Sequence, residues 1–278
     1  MSEQTLISFS AAVDYLTVTT KTQEVSANLL HSLFALRAPN FWHENRSYPW
    51  RFKGYIGRAY EGCRYGLRSD EGIVMLSGPM CQALWDKIAP ARDKCTRVDL
   101  AVTIELAEID KTIASVAYQQ ALDSIHTTNS IVMNSRGGQT VYLGSRQSQH
   151  MGRIYDKGAE QDGPTGMIWR YEVEIKKPTS DHVVTRLLET DDAPTFIAEY
   201  VARFFEARGV AIPWLRTNVE CAIEIGAYVQ SSEKTLEWLR TQVKPALGRL
   251  MVEGRQVEAF EALGLADKVD GSVLKGGL

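Results

Sequence analysis

Tyr155 lies between Arg153 and Lys157 in the run RIYDK. In an extended segment alternate residues share a face, so the three side chains would project together. Tyrosine can act as a covalent nucleophile. A nearby cation favours its phenolate and stabilises charge on a phosphate. Two other runs carry carboxylates at the same spacing. Thr96–Leu106 sets Val98, Leu100, Val102, Ile104 and Leu106 on one face and Arg97, Asp99, Ala101, Thr103 and Glu105 on the other. Trp169–Lys176 sets Trp169, Tyr171, Val173 and Ile175 against Arg170, Glu172, Glu174 and Lys176. If these strands are neighbours in one sheet, Asp99, Glu172, Arg97, Arg170, Tyr155 and Lys157 form one polar patch. Carboxylates without histidine favour a hard cation, Mg²⁺ or Mn²⁺, which binds oxygen. Tyrosine, metal and cations together suit phosphodiester transesterification. The alternative is an ordinary solvated sheet face, where Lys, Arg and Glu form cross-strand pairs.

The elements that must position these residues can be read along the chain. Ala12–Thr20 (AVDYLTVTT) is rich in β-branched and aromatic residues and predicts a strand, and Val25–Leu36 has helical spacing. Tyr48–Leu67 suggests hairpin strands, and Gly72–Leu76 a short strand. Gly78 and Pro79 then open a helix to about Ile88, since Pro suits a first turn. Asp110 is placed to cap a helix to about Ile125. Strands are expected at Gln139–Gly144, Arg153–Lys157 and Trp169–Lys176. Helices follow at Ser180–Glu189, Pro194–Arg208 and in the tail from Ser232. Strands dominate the first two thirds and helices the last. This is an α+β pattern with a mainly antiparallel central sheet and flanking helices, not a doubly wound one. The expected division is a core over 1–230 and a helical C-terminal extension over 231–278. Arg97-Val-Asp99-Leu100 echoes Arg170-Tyr-Glu172-Val173, which raises the possibility of two pseudo-repeated halves.

Composition bounds the function. The 278 residues are 44% hydrophobic and 23% charged, which is ordinary for a globular chain and argues against a disordered or coiled-coil one. No apolar run is long enough to span a bilayer, and no secretion signal opens the sequence. Cys63, Cys81, Cys95 and Cys221 are scattered, with neither CxxC nor His-x-His, so zinc is not expected and buried thiols in a reducing cytoplasm are. The net charge is −3, yet the basic residues are segregated. Arg46–Arg68 holds six cations against one acid, and Arg136–Lys157 four against one, which offers a local face for an anionic ligand.

The runs TRVDLAV (Thr96–Val102), TVYLGSRQS (Thr140–Ser148), RIYDKGAEQ (Arg153–Gln161) and WRYEVEIKK (Trp169–Lys177) together resemble the plasmid and phage replication initiation factor family called Rep_trans. DYLTVT (Asp14–Thr19) and GIVMLSGPMCQAL (Gly72–Leu84) resemble its opening strand and its strand-turn-helix element, with weaker similarity at EWLRTQVKPALGRLM (Glu237–Met251). The resemblance implies a rolling-circle initiator. Such an enzyme nicks one strand at an origin through a tyrosine, becomes joined to the 5′ phosphate and leaves a 3′ hydroxyl primer. It implies Tyr155 as nucleophile with Lys157 and Arg153 beside it, and Asp99, Glu172 and Glu160 as ligands of Mg²⁺ or Mn²⁺; Glu174, which shares a strand face with Glu172, is a fallback ligand. It also implies origin DNA as partner, single-stranded or melted, and a cytoplasmic setting with no membrane. A host helicase or polymerase and a homodimer stay open as further partners. A non-catalytic DNA-binding regulator with the same fold is the alternative function.

Arg46–Arg68 interleaves its cations with Tyr48, Trp50, Phe52, Tyr55, Tyr60 and Tyr65. Cations neutralise phosphates and aromatics stack bases, so Arg51, Lys53, Arg58 and Tyr55 are expected to bind DNA, joined by Arg146 from the second basic stretch. The other reading of the segment is a hairpin with aromatics inward and arginines in water. His150, also in a basic stretch, is a candidate to touch phosphate.

Overall fold

The structure is a computed structural model that describes residues 6–20, 48–69, 71–123, 129–133, 138–161, 163–212, 214, 250 and 253–255. The strands are β1 (Leu6–Thr20), β2 (Tyr48–Phe52), β3 (Tyr55–Tyr60), β4 (Cys63–Arg68), β5 (Glu71–Ser77), β6 (Lys94–Leu106), β7 (Asn129–Met133), β8 (Gln139–Leu143), β9 (His150–Asp156) and β10 (Ile168–Lys176). The helices are α1 (Pro79–Ile88), α2 (Ile113–Leu122), α3 (Lys157–Glu160), α4 (Thr179–Glu189) and α5 (Ala193–Glu206). The helix expected over Val25–Leu36, the helical tail from Ser232, Cys221 and nearly all of Glu237–Met251 lie outside the described residues. The chain divides into two units, Met1–Ile223 and Glu224–Leu278, and all the elements above belong to the first.

All ten strands form one sheet in the order β2-β3-β4-β5-β1-β6-β10-β9-β8-β7, and every pairing is antiparallel. The order is a duplication. A long strand (β1 or β6) pairs with the fifth strand of its own half (β5 or β10), and the three between form a meander running outward. The seam between halves is the β1–β6 pair, so β6 corresponds to β1 and β10 to β5. The repeat is therefore real at the level of topology, but the echo between Arg97–Leu100 and Arg170–Val173 is not its trace, because it links strands that are neighbours rather than equivalents. The equivalent strands carry Val13-Asp14 and Val98-Asp99.

The alternating apolar residues of β6 and β10 face α4 and α5. Val98, Leu100, Ile104, Val173 and Ile175 are fully buried, as are Val184, Tyr200, Phe204 and Phe205 on the helices. Tyr171 meets Phe205 edge-on at 5.7 Å. Gly152 of β9 is required by this packing, since a Cβ there would stand 2.4 Å from the Phe204 ring. At the outer end of the first half, Lys53 and Gly54 join β2 to β3 with φ of 48° and 85°, the paired positive values of a two-residue hairpin turn whose twist suits the strands.

Several elements differ from expectation. β9 ends at Asp156 and Lys157 begins α3, because the Asp156 carboxylate caps that turn through the Ala159 amide (2.9 Å) and ties down the Gly166 amide (2.7 Å). Asp110 does not cap α2 directly. Its carboxylate accepts from the amide and hydroxyl of Thr112, which is the residue at the cap. β7 was not expected, nor was the start of β1 as early as Leu6. Cys63, Cys81 and Cys95 are buried free thiols, and burial pushes Cys63 and Cys95 up to about 12.

His150 is not at a phosphate-facing surface. It sits on the helix-covered side of β9 with Nε2 2.9 Å from the Tyr200 hydroxyl. Burial and then the nearby Arg208 charge lower its pKa from 6.5 to about 4. Because the folded value lies below the unfolded one, this neutral histidine contributes stability that is complete above about pH 6.5 and is lost as pH falls toward 4. Urea unfolding of the wild-type chain should show a loss over this window of up to about 3 kcal/mol more than in His150→Phe. Parallel pH profiles for the two proteins would contradict this.

Candidate active site

The antiparallel register brings the predicted patch together. Arg153, Tyr155, Arg170, Glu172, Glu174, Arg97 and Asp99 share the sheet face opposite α4 and α5, because Tyr155 pairs with Arg170, Arg153 with Glu172, and Glu174 with Asp99. The face here is not solvated. Asp99 and Glu172 are both 0% exposed, and Tyr155 is 8% exposed. Buried carboxylates need cations and donors, and each has them. Arg97 donates to both oxygens of Asp99, from Nε at 2.8 Å and from an Nη at 2.5 Å, and reaches Glu174 at 2.9 Å. Arg153 pairs with Glu172 and lies 3.9 Å from Asp99, so it stands between the two carboxylates. Lys176 holds Glu174 at 2.8 Å.

The Tyr155 hydroxyl donates to Glu172 Oε2 at 3.2 Å. Burial, then the charge of Glu172, push its pKa well above the usual tyrosine range, while Arg170 and Arg153 pull it down. The resting side chain is therefore a neutral phenol aimed at a carboxylate. The Arg153 guanidinium and the Lys157 ammonium each lie 5.6 Å from the centre of its ring. Burial disfavours the Arg153 cation, but the charge and hydrogen bond of Glu172 outweigh that and raise its pKa further. Arg153 Nε is buried with no hydrogen-bond partner among the described residues. Burial also pushes the Asp99 carboxyl up, and its bonds to Arg97 only partly reverse this.

Asp14, from the bulged part of β1, joins the same face. It pairs with Arg170 at 2.6 Å, and Arg170 Nε also donates to Thr103 at 2.9 Å. Sequence reasoning left Asp14 out. The signal that could have found it is the Val-Asp pair it shares with Asp99. Glu160 is not brought to the Asp99–Glu172 pair. It is exposed on α3 and pairs with Lys157.

The fit to a divalent metal can be tested on the donors. No group of three or more His, Cys, Asp or Glu is arranged as a metal site among the described residues. Asp99 and Glu172 nevertheless supply a buried, oxygen-only donor set of the kind a hard cation takes. Their oxygens are held by Arg97 and Arg153, so an ion bound there would displace or share an arginine contact.

The expected DNA contacts divide by face. Arg146 is exposed and lies over the Tyr142 ring, and Tyr142, which pairs with Arg153, shares the tyrosine's face. Counting across the paired strands from Asp99 through Tyr15, Ser77 and Met75 to Arg64, Ala59 and Tyr48 carries the tyrosine's face out to β2. Trp50, Phe52, Tyr55, Arg64 and Arg68 fall on it. Arg51 and Arg58 fall on the opposite face, and Lys53 lies in the β2–β3 turn. Tyr55 is 6% exposed, donates to Glu71 at 2.5 Å and lies beneath Arg68, so it is a packing residue rather than a platform for bases.

These features match known proteins at two levels. The described part of the chain has the fold of a rolling circle replication initiator protein from Geobacillus stearothermophilus, with a TM-score of 0.52 and 18% identity over 78% of this chain and 90% of that one. No curated protein matches the sequence. No helix among the described residues is long and apolar enough to cross a membrane. The family model described as replication initiation factor, Rep_trans, matches residues 93–258, a span that holds β6, β9 and β10 with the tyrosine and both buried carboxylates, and so the chain belongs to that family.

Proposed function

We propose that this chain initiates rolling-circle replication by nicking one DNA strand at an origin, with Tyr155 as nucleophile. The observation that carries the reading is the hydrogen bond from the Tyr155 hydroxyl to the buried carboxylate of Glu172, which the half-buried Arg153 pairs with. As the phenol oxygen forms its bond to phosphorus, its proton passes to Glu172 Oε2. The bond from phosphorus to the 3′ oxygen breaks, and that oxygen takes a proton from solvent to become the primer hydroxyl. The chain is left joined to the 5′ phosphate. Arg153 and Arg170 stand beside the tyrosine and favour its anion as it develops. Arg153 is partly exposed, so its guanidinium can meet a phosphate oxygen, and Lys157 adds charge at the ring. Asp99 and Glu172 would hold a divalent ion, Mg²⁺ or Mn²⁺, which supplies Lewis-acid polarisation of the phosphate when bound. Arg146 and the cations of this face would seat the strand.

The test is incubation with supercoiled DNA carrying the cognate origin, read as conversion to nicked circles and as protein retained on the 5′ end after denaturation. Both signals are expected with Mg²⁺ or Mn²⁺ and neither with EDTA. Specific binding without any covalent product would instead make the chain a regulator of the same fold.

A further inference from the structure

We propose that Trp50 and Phe52 form a second nucleic-acid contact, a stacking platform for unpaired bases at the far end of the tyrosine's own sheet face. The inference rests on the reading of the chain as a binder of melted origin DNA and locates where that strand leaves the tyrosine.

The two rings project from alternate positions of β2, 5.7 Å apart and only 16° from parallel. Both are half-exposed, and Tyr48, next in the same row, is 62% exposed. The residues paired beside Trp50 are Gly57 and then Gly66, so no side chain rises between the ring and the sheet. A Cβ on Gly66 would stand 3.1 Å from Trp50 Cζ3, so the indole reaches over that glycine. The indole is half-exposed there, with the Phe52 ring nearly parallel beside it. Cations border it. Lys53 Nζ lies 5.2 Å from the Phe52 ring centre, and Arg64, exposed, shares the face. Exposed aromatic faces with adjacent cations suit a single strand, because every base has a π-face and every link a phosphate. A duplex buries its base faces and would leave the rings unused. From β9 to β2 the sheet crosses seven strand spacings, about 34 Å. That equals roughly ten nucleotides at helical rise and fewer in an extended strand, so the platform would engage bases well away from the scissile phosphate.

The experiment is fluorescence anisotropy with a labelled single-stranded oligonucleotide of mixed sequence, long enough to span both sites. Trp50→Leu and Phe52→Leu keep an apolar cover over the hairpin but lack a π-face. Each should weaken binding about five- to a hundredfold with the salt slope unchanged. Trp50→Phe should restore most of the affinity. Arg51→Ala with Arg58→Ala, on the opposite face, should leave single-strand affinity within about twofold. At saturating DNA the leucine variants should still form the Tyr155 adduct. Wild-type affinity in the leucine variants overturns the platform. So does a change from dimer to monomer with DNA affinity intact, which would make β2 a pairing edge for a second copy. A wild-type chain that binds no single strand would overturn the underlying reading as well, and that result is distinct from the first two.

Discussion

Tyr155→Phe is expected to form no covalent DNA adduct and no nicked circles, while folding and binding DNA almost as the wild type does. The substitution removes one oxygen. The ring keeps its place between Arg153 and Lys157, and both cations keep their contact with its face. The cost to stability is one hydrogen bond to Glu172, about 1 kcal/mol. Thermal melts and anisotropy check the fold and the binding, and capture of protein on the 5′ end checks the chemistry. An adduct formed by the phenylalanine variant would move the nucleophile elsewhere.

Glu172 is where the second large effect is expected, and two substitutions separate its two roles. Glu172→Ala removes the partner of Arg153 from a fully buried position. Breaking a buried pair costs about 3–5 kcal/mol, and the lower end applies because Arg153 is 32% exposed and can turn toward water. Glu172→Gln keeps the volume and one acceptor but can neither take the phenol's proton nor add charge to a metal site. It should melt near the wild type and yet lose nicking by about a hundredfold or more, the scale of a lost general base. It should also need more Mg²⁺ or Mn²⁺ for whatever activity remains, as should Asp99→Asn. Glu172→Gln with full activity would leave the carboxylate a purely structural partner of Arg153.

The central strands were legible because their alternation is strict and one face is apolar. Thr96–Leu106 and Trp169–Lys176 lie within β6 and β10, and their polar residues share one face as expected. What the spacing did not reveal is that the carboxylates on this face are buried beneath their arginines. A run of Arg, Asp and Glu reads the same whether it meets water or ion-pairs in the interior, and only the pairing of Asp99 with Arg97 and Arg153 decides it. Lys157 was read as continuing the strand because the capping role of Asp156 depends on amides three and ten residues ahead, Ala159 and Gly166. In the outer hairpins the alternation of Trp50 and Phe52 with Arg51 was visible. Which set shares the tyrosine's face depends on the register of every strand between, and a single strand does not contain that. β7 was hidden for a related reason. Four of its five residues are exposed, so burial imposes little pattern on them.

The duplicated topology also constrains how the chain reaches this state. Hairpins such as β2–β3 and β3–β4 close short loops and form early at little entropic cost. The pairs that complete each half, β1 with β5 and β6 with β10, must wait until a whole meander has been laid down between them. The β1–β6 seam requires both long strands, and it is there that Asp99 is backed by Tyr15. A sheet built from such distant partners folds slowly and exposes strand edges on the way. The tyrosine, its two buried carboxylates and their arginines all come from β6, β9 and β10, and Asp14 of β1 reaches across the seam to hold Arg170. A chain truncated within the second half would keep local hairpins but no nucleophile poised against a buried carboxylate pair, whereas loss of β1 would leave Arg170 without Asp14.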